Sequence, residues 1–116
     1  MSDAFNAALE SYKNAMVQDY VRWNDAMTGE NPYRAERIKE YVDGIQFKFG
    51  RSYIKVICEA AGGSKRVHSF IVLKRGKFNE GDILKAATWA APATNKARGN
   101  VFGEYHITWT GAEYLS

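Results

Sequence analysis

The sequence is poor in the residues that build covalent, metal or catalytic centres. It has one cysteine and two histidines among 116 residues. The lone thiol, Cys58, excludes a disulfide within the chain and any zinc site that needs several cysteines. The sequence also has no basic segment followed by an apolar run at its start, and no apolar stretch of membrane-spanning length. We therefore expect a cytoplasmic protein that is neither secreted nor membrane-spanning.

Acidic residues are scarce between positions 44 and 103. Eleven lysines and arginines stand there against Glu59, Glu80 and Asp82, whereas residues 1–30 carry two basic and five acidic side chains. A cationic segment of this kind favours a polyanionic partner, although a solvated surface has the same composition. The scarcity of carboxylates also argues against a hydrolytic site built on paired acids.

The residues that are abundant suffice for one folded domain, which we assign to residues 1–116. Hydrophobic residues make up 46% of the chain and aromatic residues 14%. Both fractions are typical of a globular protein with a single core and argue against disorder.

One apolar stripe at helical spacing runs through the first thirty residues. It consists of Phe5, Leu9, Tyr12, Met16, Tyr20, Trp23 and Met27. Ser2 suits the N-cap of this helix, and Gly29 suits the position just after its last turn. The stripe predicts packing on the chain's own sheet; a seam between two copies of the chain is the alternative.

A second, shorter helix is predicted next, with Asn31 as its cap, Pro32 at its first position and its end near Tyr41. The apolar period then changes to two, which predicts a hairpin turning at Gly50 and Arg51. A two-residue turn gives a defined register. It pairs Phe49 with Ser52, Phe47 with Ile54, Ile45 with Val56 and Asp43 with Cys58, and it sets Lys48 beside Tyr53 and Gln46 beside Lys55.

Three more elements follow in the prediction. The strand VHSFIVLK, residues 67–74, is apolar on both faces and is expected to be central and covered on both sides. A short helix is predicted over residues 82–90 with Asp82 as its cap, and YHITWTGAEYL, residues 105–115, is predicted as the fourth strand. The predicted fold class is therefore α+β, with an N-terminal amphipathic helix and a short second helix packed on a four-stranded antiparallel sheet.

Few side chains in this sequence are candidates for catalysis. His68 and His106 lie in strand patterns, and Cys58 alternates with apolar neighbours, which is typical of structural residues. No phosphate-binding glycine loop, nucleophile elbow or metalloprotease helix is present. We expect a protein that is not an enzyme and needs no cofactor or metal; a site built from His68, Cys58 and Glu59 is the enzymatic alternative.

A binding surface is the stronger candidate for function. Cations that neutralise phosphates, combined with aromatic faces on which bases stack, are what a single-stranded nucleic-acid platform needs. The predicted nucleic-acid-binding residues are Lys48, Arg51, Tyr53, Lys55, Arg66, Lys74, Arg75, Lys96 and Arg98. Lysines on an exposed sheet also protect an edge from aggregation, so the pattern has a purely structural explanation as well.

The loop over residues 92–100 brings two of these cations together. Trp89 is expected to anchor it in the core, Pro92 ends the predicted helix, and Gly99 allows a positive φ or a close backbone approach. Such a loop either carries Lys96 and Arg98 to a phosphate or acidic protein surface, or merely connects two elements.

The stretch GDILKAATWAAPATNKARGNVF, residues 81–102, resembles a segment near the carboxyl end of small, functionally unassigned proteins encoded by tailed bacteriophages. The shared pattern is W..PA...ARGN after a lysine-rich turn. The resemblance implies a phage protein that acts in the infected bacterial cytoplasm or is packaged in a virion, and it carries over no catalytic residue. The leading hypothesis is a small non-enzymatic phage accessory protein that binds nucleic acid non-specifically. The alternative is a protein-interaction module, either an inhibitor of a host factor or a minor virion component.

Overall fold

Two helices precede a four-stranded antiparallel sheet in this chain. The structure, a computed structural model, describes residues 3–29 and 31–112. The elements are α1 (Asp3–Thr28), α2 (Arg34–Gly44), β1 (Ile45–Phe49), β2 (Tyr53–Glu59), β3 (Lys65–Val72) and β4 (Ile83–Leu84). The strands lie in the order β1-β2-β3-β4. The predicted α+β class, with helices packed on a four-stranded antiparallel sheet, is confirmed.

Helix α1 buries only the first half of its apolar stripe. Phe5, Leu9, Tyr12 and Met16 are buried against the sheet, which confirms the predicted packing for this half. Further along the same stripe Met27 is 67% exposed. Gly29 follows the helix with a φ of +59°, as predicted for the residue after the last turn. The predicted cap, Ser2, lies outside the described residues. No helix in residues 3–29 or 31–112 is long and apolar enough to cross a membrane.

Helix α2 begins two residues later than predicted. The Asn31 side-chain oxygen accepts a hydrogen bond from the Tyr33 N–H at 2.8 Å, and the Asn31 carbonyl accepts one from the Arg34 N–H at 3.1 Å. Pro32 therefore sits in a turn before the helix rather than at its first position. At the other end a Cβ on Gly44 would lie 2.1 Å from the Glu59 carbonyl oxygen, so this contact between α2 and β2 requires glycine.

The predicted hairpin register is wrong by two residues. Phe49 pairs with Ile54, Phe47 with Val56 and Ile45 with Cys58. The turn is centred on Arg51 and Ser52, one residue later than predicted, and the Gly50 N–H donates to the Tyr53 carbonyl at 2.9 Å across it. A shift of two keeps every side chain on its predicted face. Lys48 is therefore opposite Lys55 instead of Tyr53, and Gln46 is opposite Ile57 instead of Lys55.

Strand β3 lies between β2 and β4 and is buried from His68 to Val72, as predicted for a central strand covered on both faces. One face of the sheet, the helical face, packs Ile54, Val56 and Ile71 against α1. The other, the loop face, carries Phe70, Val72 and Leu84. Side chains from later segments, Phe78, Ala86 and Ala97, pack on that second cluster.

The chain after β3 differs most from the prediction. Residues 82–90 do not form a helix: Ile83 and Leu84 form β4, with Ile83 packed in the helical-face core and Leu84 in the loop-face core. Opposite faces for consecutive residues are the geometry of a strand. The predicted strand over residues 105–115 is also wrong in its described part, which makes only the isolated bridges Gly99 to Tyr105 and Ile107 to Ala112. Residues 113–115 of that prediction lie outside the described residues.

Candidate nucleic-acid interface

One end of the sheet brings most of the predicted cations together. Tyr53, the first residue of β2, pairs with Val72, the last residue of β3. The next two residues along the chain, Leu73 and Lys74, donate backbone hydrogen bonds to the Ser52 carbonyl at 2.8 and 3.4 Å. The turn containing Arg51 therefore lies beside the segment that carries Lys74 and Arg75. Lys48, the next-to-last residue of β1, and Lys55, the third residue of β2, lie close to the same turn.

A groove of about 190 Å³, which we call the hairpin groove, opens at this end of the sheet. Its lining combines cations with aromatic rings: Lys48, Phe49, Gly50, Arg51, Ser52, Tyr53, Lys55, Phe70 and Ala90. The Tyr53 and Phe70 rings meet edge to face at 6.1 Å, and Phe49 is 50% exposed. By strand alternation Phe49 lies on the same face as Phe47, but as the last residue of β1 it is half exposed.

The cations of this region are not neutralised by neighbouring carboxylates. Within residues 3–29 and 31–112, no ion pair involves Lys48, Arg51, Lys55, Lys74 or Arg75. Lys48 and Lys55 are also direct partners in the β1–β2 register, so two like charges face each other across the strand pair. Like charges directly opposite each other destabilise a sheet, so a contribution to folding stability does not explain this pair.

Trp89 lies at the surface, which corrects its predicted place in the core. It is 50% exposed, and the Lys55 ammonium stands 4.5 Å from its ring centroid. The absent helix explains the difference, because residues 88–91 form a turn instead. The Thr88 N–H donates to the Ala91 carbonyl, and the Thr88 hydroxyl accepts from the backbone N–H groups of Ala90 and Ala91. This turn holds the indole above β2.

A second groove, the edge groove, begins at Trp89. It measures about 280 Å³ and is lined by Arg66, Val67, Ala86, Ala87, Thr88 and Trp89. Arg66 is the second residue of β3, directly after the turn that joins β2 to β3, and its guanidinium donates to the carbonyls of Trp109 and Thr110 at 2.9 and 2.7 Å. It also lies 5.7 Å from the Trp109 ring centroid. Arg66 is thus a positioned cation, separate from those around the hairpin turn.

The loop over residues 92–100 folds back on β4 instead of reaching out. The Arg98 N–H donates to the Ile83 carbonyl at 2.7 Å, and the Ala93 N–H donates to the Lys85 carbonyl at 2.7 Å. Arg98 is only 2% exposed, so its predicted place on an exposed loop is wrong. Lys96 is exposed as predicted. Gly99 has a φ of +132° and a Cβ there would lie 2.6 Å from the Glu104 carbonyl oxygen, which confirms both predictions for this glycine.

The residues of the enzymatic alternative have structural partners. His68 is bonded to the Ser69 hydroxyl and the Thr108 carbonyl, both at 2.8 Å, which confirms its structural interpretation. Glu59 accepts from Gln46 at 2.9 Å and pairs with Lys65 at 3.7 Å. Burial raises the pKa of the Cys58 thiol, which lowers its thiolate fraction. In the described part of the chain no cluster of three or more His, Cys, Asp or Glu side chains has a metal-binding arrangement.

A further cleft, which no sequence pattern predicted, lies on the helical side. It measures about 260 Å³ and has Tyr20, Tyr41 and Trp109 among its walls, with Arg37 and Arg66 beside them. The Tyr20 and Tyr41 rings stack at 4.4 Å, and Trp109 meets the edge of Tyr20 at 5.2 Å. These residues come from α1, α2 and the C-terminal segment, and no sequence spacing relates them. The rings largely contact one another, so the cluster also fastens the C-terminal segment to both helices.

Comparison with known proteins gives a family but no activity. The family model described as "Family of unknown function (DUF7717)" matches residues 3–113, so the chain belongs to that family. No curated protein and no solved structure matches the chain.

Proposed function

We propose that this member of a family without an assigned activity binds single-stranded nucleic acid, without strong sequence preference, through the hairpin groove. The observation that carries the proposal is the direct opposition of Lys48 and Lys55 in a groove that also contains Tyr53 and Phe49. A phosphate between two ammonium groups relieves their repulsion. The rings beside them offer faces on which bases stack.

The side chains of the groove favour backbone recognition over base readout. Lysine and arginine contacts to phosphate position a protein on its ligand but carry no sequence information, and stacking accepts every base. We accordingly assign the protein a binding role with no catalytic step, cofactor or metal. Lys74 and Arg75 extend the phosphate-binding region on one side of the groove, and Lys96 adds an exposed cation elsewhere. Arg98 is left out because it is buried.

Salt dependence of binding tests the proposal. With four or five phosphate contacts, a single strand should bind roughly 50- to 130-fold more weakly at about 200 mM than at about 50 mM salt. Fluorescence anisotropy of labelled oligothymidine, measured at both salt concentrations, gives this ratio. Affinity that does not change with salt, or no binding at the lower concentration, contradicts the proposal.

A matched pair of double variants separates the groove from total charge. Lys48→Gln with Lys55→Gln should weaken binding and flatten the salt dependence, because two phosphate contacts are lost. Arg22→Gln with Lys39→Gln removes the same charge from exposed positions on the two helices and should leave the salt dependence unchanged. Equal losses in the two double variants would mean that net charge, rather than the groove, attracts the ligand.

The setting we propose is a tailed bacteriophage, with the protein active in the infected bacterial cytoplasm or carried in the virion. This rests on the resemblance of residues 81–102 to a segment of phage proteins. Detecting the protein in infected cells and in purified particles, with a specific antibody, tests the setting independently of binding.

A protein-interaction role is the second candidate function, as an inhibitor of a host factor or a minor virion component. The observation that favours it is a group of exposed apolar side chains where α1 ends and α2 begins, namely Trp23, Met27 and Tyr33. Copurification of one host or phage protein that survives nuclease treatment and is lost in a Met27→Asp variant supports this role. Loss of the partner on nuclease treatment supports nucleic acid as the bridge.

A further inference from the structure

We infer that Trp89 stacks a base of the bound strand, and that the strand crosses this ring from the hairpin groove into the edge groove. The inference rests on the proposed function and adds to it the path of the ligand, its minimum length and the reason for preferring single strands. None of these follows from the cations alone.

The position of Trp89 joins the two grooves. Trp89 lines the edge groove, and the next residue, Ala90, lines the hairpin groove. Lys55 connects them as well, since it lines the hairpin groove while its ammonium stands 4.5 Å from the Trp89 ring centroid. A strand that leaves one groove for the other therefore passes over the indole.

The indole is held in place yet remains available. The Lys55 ammonium interacts with the ring and, at 5.9 Å, with the Phe70 ring on the sheet below. Half of Trp89 stays exposed to solvent. A fixed aromatic ring beside a cation supplies stacking for a base and charge for its phosphate at the same point.

The first residues of β3 set the far end of the path. Arg66 and Val67 line the edge groove there, while the Arg66 guanidinium is turned toward Trp109 and the helical-side cleft, where two backbone carbonyls hold it. Arg66 and Val72, next to the hairpin groove, lie at opposite ends of β3, roughly 20 Å apart at the usual rise of a strand. This span suits a site of about four nucleotides or more, and a dinucleotide is too short to use both ends.

Stacking on Trp89 also selects against duplexes. Bases in a duplex are paired and stacked on each other, and only unpaired bases splay out onto a protein ring. Cationic contacts by themselves would bind both forms, so the preference for single strands depends on the aromatic rings, and the indole adds to the contribution of Tyr53 and Phe49.

Two tryptophan variants test the inference. Trp89→Leu should weaken binding of an oligothymidine of about eight nucleotides by about tenfold while leaving its salt dependence unchanged, since stacking contributes and charge does not change. It should also abolish most of the tryptophan quenching that the ligand causes and reduce the preference over duplex DNA. Trp23→Leu is the matched control, because Trp23 is comparably exposed on α1 and should leave all three quantities as in the wild-type protein.

A length series and a conservative variant complete the experiment. Affinity should rise steeply between oligothymidines of about two and about four nucleotides in the wild-type protein and less steeply in Trp89→Leu. Trp89→Phe keeps a stacking face and should retain most of the affinity, which guards against a loss caused by misfolding. Wild-type binding with the expected salt dependence but equal behaviour of Trp89→Leu and Trp23→Leu would overturn the inference and leave the proposed function standing. Absence of wild-type binding would overturn both.

Discussion

Tyr12, Ser69 and His68 form a buried chain of hydrogen bonds at the centre of the molecule. Tyr12 Oη lies 2.7 Å from Ser69 Oγ, which lies 2.8 Å from His68 Nδ1, and His68 Nε2 lies 2.8 Å from the Thr108 carbonyl oxygen. The carbonyl only accepts, so Nε2 carries the proton and Nδ1 accepts from the Ser69 hydroxyl. Ser69 in turn accepts from Tyr12, whose pKa is raised by burial. Every donor direction is thereby fixed for a neutral imidazole.

Protonation of His68 should destabilise the fold. Burial lowers the pKa of His68 from 6.5 to about 4 in the folded protein, so between these values the unfolded chain binds the additional proton. Stability is complete above the unfolded pKa, falls as the pH decreases through this window, and loses nothing more from His68 below the folded pKa. The expected loss is about 3 kcal/mol.

Chemical denaturation at several pH values measures this loss. His68→Gln is the control because its amide can donate to Thr108 and accept from Ser69 but does not titrate in this range. The difference in unfolding free energy between wild type and His68→Gln should shrink as the pH falls through the window. A difference that is constant with pH would show that His68 is not the titrating group.

At the scale of elements, helix α1 has two halves with the same apolar spacing and different surroundings. Met16 is fully buried in the sheet core, whereas Met27 is 67% exposed. Met16→Ala should lower the free energy of unfolding by about 3 kcal/mol, because it removes packed methylene groups and leaves a cavity. Met27→Ala should change it by less than about 0.5 kcal/mol. Thermal or urea denaturation gives both values, and similar effects at the two positions would mean that α1 packs over its whole length.

The faces of the first two strands could be predicted from the sequence, whereas their register could not. The period-two pattern of residues 45–58 assigned side chains to the two sheet faces, because alternation does not depend on register. The register itself depended on the turn, and the residue types Gly50 and Arg51 did not reveal that the turn is centred one residue later, on Arg51 and Ser52. The segment containing Ile83 and Leu84 was wrongly predicted to be a helix, because two adjacent apolar residues suit a helix face as well as a strand buried on both sides.

The candidate site was predictable only where local pattern and topology coincide. Antiparallel pairing of β2 with β3 brings the turn at Arg51 next to Lys74 and Arg75, as any hairpin-connected sheet would. The sequence analysis placed Arg98 at the surface and Trp89 in the core, whereas Arg98 is buried and Trp89 is half exposed. Their burial depends on how the segment after β4 folds back, and that is set by contacts distant in sequence.

At the scale of the whole molecule, stability and binding should oppose each other at Lys48. Lys48→Glu turns the repulsive pair with Lys55 into an attractive one and should stabilise the protein by about 0.5 kcal/mol. The same change should weaken oligothymidine binding, because a carboxylate repels phosphate. Melting temperature and anisotropy, measured on the same samples with Lys48→Gln as the intermediate, test both effects. A variant that loses stability, or binds as well as wild type, contradicts this assignment of the pair.

The two faces of the sheet differ in the charge of the segments around them as well as in which segments cover them. Helix α1, from the segment with five acidic and two basic residues, packs on the helical face, while Lys55 and Trp89 lie on the other side. The molecule is therefore an electric dipole directed across its sheet, and a polyanion attracts it with one side foremost. A strand coated by such molecules would show an acidic exterior and repel other strands. Under our proposal, the protein would cover nucleic acid in a single layer and keep covered strands apart instead of condensing them.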